Sequence, residues 1–349
     1  MNENEPAPRD SPDPPIRIAV IGDIHAFWGP PDVEYFNQSD YDLVLFVGDL
    51  GGYTVGGTLK VARSIARLEK PALVLPGNHD AITPAQLAAE ISGVGSLIEL
   101  ASGGEERRRK ELAEALGPVP LVGYSLHRFR FRTQTLSIVA ARPHSFGGPR
   151  LAFRPLMKRA FGVTSLEESE TRLKQLVDDA SSELLFLAHN GPTGLGDARD
   201  SIWGCDFRRN AGDFGDPDLR GALTYASSQG KRVRAVLAGH MHHALKGGGD
   251  RTWLEEEDGT YYVNAARVPR VFRMAKPSSE SETPAPAPEG AKQTLRPPEG
   301  TKQTRRPPDL KEAAEWAARR VGVRSRVRHH VRVEMMGDET RVEARLCPA

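Results

Sequence analysis

The sequence predicts an α/β layered fold with parallel strands. Short β-branched apolar runs recur along the chain, helical patterns separate them, and several runs end directly in Gly, Asp, Asn or His. Apolar runs without polar alternation are typical of strands buried on both faces. The third feature is plainest at Pro76-Gly77-Asn78-His79-Asp80, where an amide, an imidazole and a carboxylate follow Ala72-Leu73-Val74-Leu75. Taken alone, that stretch reads equally as a polar turn or as a built site, because Gly, Asn and Asp are ordinary turn residues. The rest of the chain decides between the two.

Residues 1–15 are rich in Pro, Asp, Glu and Asn and are expected to be disordered. The run Ile16-Arg17-Ile18-Ala19-Val20-Ile21 predicts a first buried strand leading into Gly22-Asp23-Ile24-His25, and Leu43-Val44-Leu45-Phe46-Val47 a second ending in Gly48-Asp49. A helix should follow with Thr58 as its N-cap and Val61, Ile65 and Leu68 on one face. Residues 84–116 read as helix broken by glycines, and the charges from Glu105 to Lys110 as a solvated helix face. Leu126 to Phe131 and Leu136 to Ala140 read as strands of the antiparallel part of the sheets, followed by an irregular loop over residues 142–149. A further helix begins at Ser165, with Glu168 completing a capping box, and Asp216-Pro217 opens another that stops at Gly230. Between and after them, Leu184-Leu185-Phe186-Leu187-Ala188 ends in His189-Asn190, and Ala235-Val236-Leu237-Ala238 ends in Gly239-His240-Met241-His242-His243.

The main domain is expected over residues 16–276. A disordered Pro-rich insertion should span residues 277–309, where Lys292-Gln293-Thr294 is echoed by Lys302-Gln303-Thr304. Residues 310–349 then return to the same domain as a short helix over 310–320 and a hairpin turning at Gly337-Asp338. The Val and Arg or Glu alternation of that hairpin puts one face on a core and one in water.

Composition narrows the function classes. The formal net charge of +1 over 349 residues gives no global pull on nucleic acid or membrane. A nucleic-acid contact through the basic residues from Arg319 to Arg332 is less well supported than a half-buried strand there. Two cysteines in unrelated contexts, Cys205 and Cys347, support neither a disulfide framework nor a thiolate metal site. No run is long and apolar enough to span a bilayer, and no secretory signal is evident, so a cytoplasmic protein with no membrane partner is expected.

Five strand-like runs therefore end in residues of metal-ligand type: Asp23 with His25, Asp49, Asn78, His189, and His240 with His242. Each alone has a bland explanation, but their joint occurrence is hard to attribute to turns. Strand ends converge on one edge of an α/β sheet, which would gather these groups. Imidazole, carboxylate and amide oxygen together suit intermediate divalent metals, and seven ligands exceed what one tetrahedral ion uses, so two ions are the economical reading. Mn, Fe, Zn and Mg all remain open. Such a centre is electropositive and attracts an anion.

The blocks Asp23-Ile24-His25, Gly48-Asp49, Gly77-Asn78-His79-Asp80, His189 and Gly239-His240-Met241-His242 resemble, in order and context, the calcineurin-like metallophosphoesterase superfamily over about residues 16–270. More narrowly, Arg142 to Gly148, His189 to Gly196, Gly212 to Leu219 and Asn264 to Arg270 resemble an uncharacterised cyanobacterial and plastid-type subfamily. The resemblance implies a four-layer α/β/β/α sandwich with mixed sheets. It also implies a small phosphoester substrate and a pair of divalent ions, the first held by Asp23, His25 and His242, the second by Asn78, His189 and His240, with Asp49 between them. His79 would protonate the leaving oxygen while Asp80 orients its ring. Leu50-Gly51-Gly52-Tyr53 after Asp49 lacks the Asp-Arg-Gly continuation of the Ser/Thr protein phosphatases, which disfavours that activity.

For substrate contacts, Arg142, His144 and Asn190 are candidates to hold phosphate oxygens. Arg142 is equally well explained as the partner of a nearby carboxylate. Trp203, Asp206 and Arg208 either line the pocket or wrap it. A non-catalytic binding scaffold of the same fold is the competing reading, and the complete ligand set argues against it.

Overall fold

A computed structural model of the chain describes residues 14–52, 54–131, 134–208, 212–273 and 326–349. The readings of residues 1–13, of the whole Pro-rich stretch and of the 310–320 helix lie outside the described residues.

The first half of the chain alternates strand and helix: β1 (Ile16–Ile21), α1 (Pro30–Gln38), β2 (Leu43–Phe46), α2 (Val55–Ile65), β3 (Ala72–Val74), then α3 (Pro84–Ser92), α4 (Gly95–Ala101) and α5 (Glu105–Leu116). β4 (Ser125–Phe131) and β5 (Gln134–Ala140) follow, then α6 (Arg154–Phe161), α7 (Leu166–Asp179), β6 (Glu183–Leu187), α8 (Pro217–Ser228), β7 (Arg232–Ala238), β8 (Leu254–Glu257), β9 (Thr260–Asn264) and β10 (Val271–Arg273). The chain closes with β11 (Arg326–Met336) and β12 (Glu339–Pro348).

These strands form two six-stranded mixed sheets. In the first, β1, β2 and β3 run parallel, and β1 pairs antiparallel with β11. β12 lies along the whole of one side of β11, while β10 and β1 share the other side end to end. In the second, β5, β6, β7 and β9 are parallel, flanked by antiparallel β4 and β8.

Alternation of side chains across each strand explains the layering. Ile18, Val20, Leu43, Leu45 and Leu73 of the first sheet meet Ile138, Leu185, Leu187, Leu237 and Val263 of the second in one central core. The opposite faces are buried too: Ala19, Ile21, Val44 and Phe46 under Phe36, Val61, Ile65 and Leu112, and Val139, Phe186 and Val236 under Leu173, Val177, Leu219 and Ala222. Helix, sheet, sheet and helix therefore stack in four layers.

Three local readings need correction. α2 is capped by Thr54, whose Oγ1 accepts from Gly57 N at 3.2 Å; Thr58 is a buried helix-interior residue and Leu68 lies past the helix end. In α5 the charge run is not wholly solvated: Glu105 and Arg108 are buried, Glu105 pairs with Arg159, and Arg108 donates to Ala81 O at 2.8 Å and Gly103 O at 2.7 Å. The α7 cap has Ser165 accepting from Glu168 N, but the Glu168 carboxylate accepts in return from Thr164 N rather than from Ser165 N.

The C-terminal hairpin belongs to the first sheet and is fastened to the second. Arg234 of β7 is almost fully buried; it donates to Gly337 O at 2.7 Å and Thr340 Oγ1 at 2.9 Å and pairs with Glu183 at 3.0 Å. The expected one-sided burial of the hairpin fails in β11, where residues 327–331 are buried on both faces. α1 covers the second face: the His330 ring packs on Phe36 and Tyr35 with centroids at 5.2 and 5.6 Å, and its Nε2 meets Tyr41 Oη at 2.7 Å.

Burial pushes the His330 imidazole down to about 3 and His329 well below the usual range, so both rings are neutral in the folded protein. The unfolded chain takes up those protons near pH 6.5. Stability is therefore expected to hold above about pH 6.5 and to fall as the pH drops from there towards 3. Urea midpoints measured across that range should show the decline, and His330→Phe should flatten part of it.

Candidate metal centre

Each strand end delivers its polar residue through a tight turn. Immediately after β1, β2 and β7, the backbone bends into the left-handed region at Asp23 (φ 45°), His25 (φ 42°), Asp49 (φ 52°) and His240 (φ 70°). Non-glycine residues adopt that conformation at a cost, and such outliers gather where a side chain must be aimed. Glycines beside them allow the close approach: a Cβ on Gly77 would collide with Asp49 Oδ1, and one on Gly239 with Asp23 Oδ2.

The seven ligand-type residues come together across the facing edges of both sheets. β1, β2 and β3 contribute from one sheet and β6 and β7 from the other, so the expected convergence on a single sheet edge is corrected to convergence across the sandwich. Two groups form, Asp23 with His25 and His242, and Asp49 with His189 and His240; within each, one ligand atom per residue lies within 4.8 Å of the others. Asn78 Oδ1 adjoins the second group, 2.8 Å from His189 Nε2 and 3.1 Å from His240 Nδ1. In the first, His25 Nε2 and His242 Nε2 face each other at 3.2 Å and Asp23 Oδ1 is 3.5 Å from His242 Nε2.

These residues fit divalent ions. Ligand atoms about 2.1 Å from a shared ion stand roughly 3–3.5 Å apart, which is the spacing of the His25, His242 and Asp23 atoms. Asp23 Oδ1 is buried and makes no well-formed hydrogen bond, its nearest donor being His242 Nε2 at 3.5 Å, a costly state for a carboxylate without a cation. His189 Nδ1 lies 2.7 Å from Val47 O, which requires its proton there and turns Nε2 into the site.

Electrostatics agree. Burial alone would raise Asp23 and Asp49, but the surrounding imidazoles more than offset it and hold both below the usual carboxylate range, with His242 foremost for Asp23 and His189 for Asp49. Burial pushes His240 down to about 3, so this ring is neutral and free to coordinate.

His79 sits beside the pair of groups. Its amide donates to Asp49 Oδ1 at 2.9 Å, its Nε2 is 4.0 Å from Asp49 Oδ2, and its ring meets His25 edge-on at 5.6 Å. Asp80 fastens the backbone of the site. Its Oδ1 accepts from Leu50 N at 3.0 Å and its Oδ2 from Gly77 N at 2.9 Å, so it clamps the turns after β2 and β3 together. Burial, then the Asp49 charge, pushes its carboxyl up to about 7.

The three substrate-contact candidates are buried and serve as braces. Arg142 is held by Asp218 (Nε–Oδ2 2.9 Å, Nη2–Oδ1 3.1 Å) and Asp216 (Nη2–Oδ1 2.9 Å), which corrects the phosphate reading in favour of the carboxylate-pair reading. His144 supports the 76–80 turn, with its amide 2.9 Å from Pro76 O and its Nδ1 2.8 Å from Gly77 O. The Asn190 amide donates to Phe214 O at 2.8 Å. Asp216 precedes α8 but makes no side-chain cap bond, because its carboxylate serves Arg142 and Ser145 instead.

Two residues the sequence did not single out also shape the site. Arg251 is buried, donates to Ser201 O and Gly204 O, and reaches His242 O at 3.1 Å, fixing the irregular 199–206 segment against the ligand-bearing loop. Arg270 ties Phe27 O to Asp32 beside β11. No local pattern marks an arginine whose partners are carbonyls distant in sequence. Of the residues left open, Trp203 is buried against Gly191 and wraps the site; His243, next in sequence to His242, is buried with its Nε2 on Asn264 O.

A comparison with known families matches residues 16–244, about two thirds of the chain, to the family described as Calcineurin-like phosphoesterase. The chain belongs to the calcineurin-like phosphoesterase family. Among solved structures, one aligns with 94% of this phosphoesterase chain and 98% of its own at 10% identity and a TM-score of 0.46. Another, a sulfate thiohydrolase SoxB of Thermus thermophilus in complex with glycerol, aligns with 88% of this chain and 38% of its own at 12% identity and a TM-score of 0.39. No curated protein matches this phosphoesterase in sequence. Among the described residues, no helix is long and apolar enough to cross a membrane.

Proposed function

We propose that this phosphoesterase is a dinuclear, metal-dependent hydrolase of small phosphate mono- or diesters. The observation that carries the proposal is the position of Asp49, whose Oδ2 lies 3.9 Å from His25 Nε2 and whose Oδ1 lies 3.8 Å from His189 Nε2. A carboxylate facing one ligand group with each oxygen is suited to bridge two ions. In this reading Asp23, His25 and His242 hold one, and Asn78, His189 and His240 the other; Mn, Fe, Zn and Mg are all compatible with the donor set. Bound there, the ions would supply Lewis-acid charge for the phosphoryl oxygens and lower the pKa of a water that attacks phosphorus.

The remaining work falls to the chain. Asp49 and Asp23 balance the positive charge, and the backbone clamp of Asp80 keeps Asp49 and Asn78 in register. His79 Nε2 delivers the proton to the leaving oxygen. Burial, only partly offset by Asp49, holds the His79 imidazole below its ordinary value before substrate arrives. An anionic phosphoester beside the ring favours its charged form and so readies the proton.

The test is metal analysis on protein prepared without chelator, followed by a phosphoester panel. About two divalent ions per chain and hydrolysis that chelation abolishes and metal restores are expected. A protein that holds one ion or none under saturating metal would sink the dinuclear reading. His79→Ala should keep both ions and slow turnover about 10²-fold or more, most for esters with poor leaving groups. Loss of metal in that variant would make His79 a ligand rather than the acid.

A further inference from the structure

Beyond the metal-ligand residues, the segment around Asp206 carries an exposed aromatic ring, Phe207, and a cation, Arg208, set against Phe214, which is itself half-buried against the second core. Phe207 is 41% exposed and meets Phe214 edge-on at 5.0 Å. The Arg208 guanidinium lies over Phe214 at 4.7 Å, and Lys246 Nζ stands 5.9 Å from the Phe207 ring.

Two independent connections place this wall at the rim of the site. On one side, Asp206 Oδ2 accepts from Lys246 N at 2.8 Å and Asp206 Oδ1 pairs with Arg251 at 3.3 Å, while Arg251 Nε reaches His242 O at 3.1 Å. On the other, Phe146 lies 6.0 Å from the His240 ring, and two residues further on Gly148 packs on the Phe214 ring and donates its N–H to Phe214 O at 2.9 Å. The wall thus extends outward from the His240 and His242 edge.

We propose that Phe207, Phe214, Arg208 and Lys246 form a leaving-group subsite for a planar aromatic base, so that the substrate is a nucleoside phosphoester. The inference rests on the phosphoesterase reading above. The exposed Phe207 ring offers a stacking face to any base, the Arg208 guanidinium laid on Phe214 offers a second flat face, and the two cations suit an anionic ligand. A lipid tail would call for an apolar trough without flanking charge, and a chain with a formal net charge of +1 gives little pull towards a polymeric nucleic acid.

The experiment titrates the metal-loaded protein, by calorimetry, with the methylenephosphonate analogue of adenosine 5′-monophosphate and with the base-free ribose counterpart, neither of which can be hydrolysed. The nucleoside analogue should bind about tenfold more tightly, the worth of one base stacked on an aromatic ring. Phe207→Ala, and separately Arg208→Gln, should each shrink that ratio several-fold. Equal affinities in the parent protein, or a ratio unchanged by Phe207→Ala, would overturn the subsite. Hydrolysis of 4-nitrophenyl phosphate, run alongside, separates the two failures. Metal-dependent turnover without base preference removes the subsite alone, whereas no metal-dependent turnover of any ester removes the phosphoesterase reading and the subsite with it.

Discussion

Asp49→Asn should strip the centre of bound metal and of hydrolysis together while leaving the fold intact. Asn keeps an oxygen to accept from the His79 amide, so the turn after β3 retains its 2.9 Å bond. What it loses is the second anionic oxygen, the one 3.9 Å from His25 Nε2, and with it the ability to bridge. Loss of an outer partner of a metal ligand already costs roughly 10- to 100-fold in affinity or activity, and a shared inner ligand should exceed that for both ions. Metal content by atomic emission and initial rates on an aryl phosphate are the readouts, and unfolding of the metal-free variant should stay close to the parent. If two ions and full turnover both survive, Asp49 is not the bridge.

Arg142→Met is expected to be the most destabilising single change near the site. Its guanidinium serves two buried carboxylates, Asp216 and Asp218, at 2.9 to 3.1 Å. Removing it leaves two like charges buried without their partner, and breaking a buried pair in this way costs about 3–5 kcal/mol. Burial already pushes the Asp216 carboxyl up to about 6 with Arg142 in place. Without the arginine the Asp216 carboxyl should rise further. A folded-state value raised above the unfolded one gives stability that is intact at low pH and lost as pH climbs through it. The penalty should therefore be larger at pH 8 than at pH 5 in urea unfolding. A loss under 1 kcal/mol, independent of pH, would show that the pair is dispensable.

What could be read from the sequence was the part carried by local pattern. Strands buried on both faces make continuous apolar runs, and the turn after each run displays its ligand-type residues, so Asp23, Asp49, Asn78, His189 and His240 stand out without any knowledge of what faces them. The split of those ends between two sheets is not a local property. The fate of Arg142 was equally hidden, since its partner Asp218 is 76 residues away and a guanidinium suits phosphate as well as carboxylate. The clamp made by Asp80 was hidden for a related reason: its carboxylate accepts from the amides of Leu50, thirty residues back, and of Gly77, and no local pattern announces the first of these. In α5 the alternation of sign looks solvated until Glu105 and Arg108 find Arg159 and the Ala81 carbonyl.

The pairing of β10 with β11 fixes how the last part of the chain is joined to the rest. Arg273 and Arg326 are opposite one another in an antiparallel ladder, so the ends of the 52 residues from 274 to 325 leave and re-enter the sheet as neighbours. Opposed antiparallel residues stand about 5 Å apart, a gap that a two-residue turn can close. Loop-closure entropy changes by only about 0.6 kcal/mol for each halving of a connection. The β10–β11 ladder therefore holds the two ends of that connection together by itself, while the register of β11 against β1 is set separately by Ile16 to Val20.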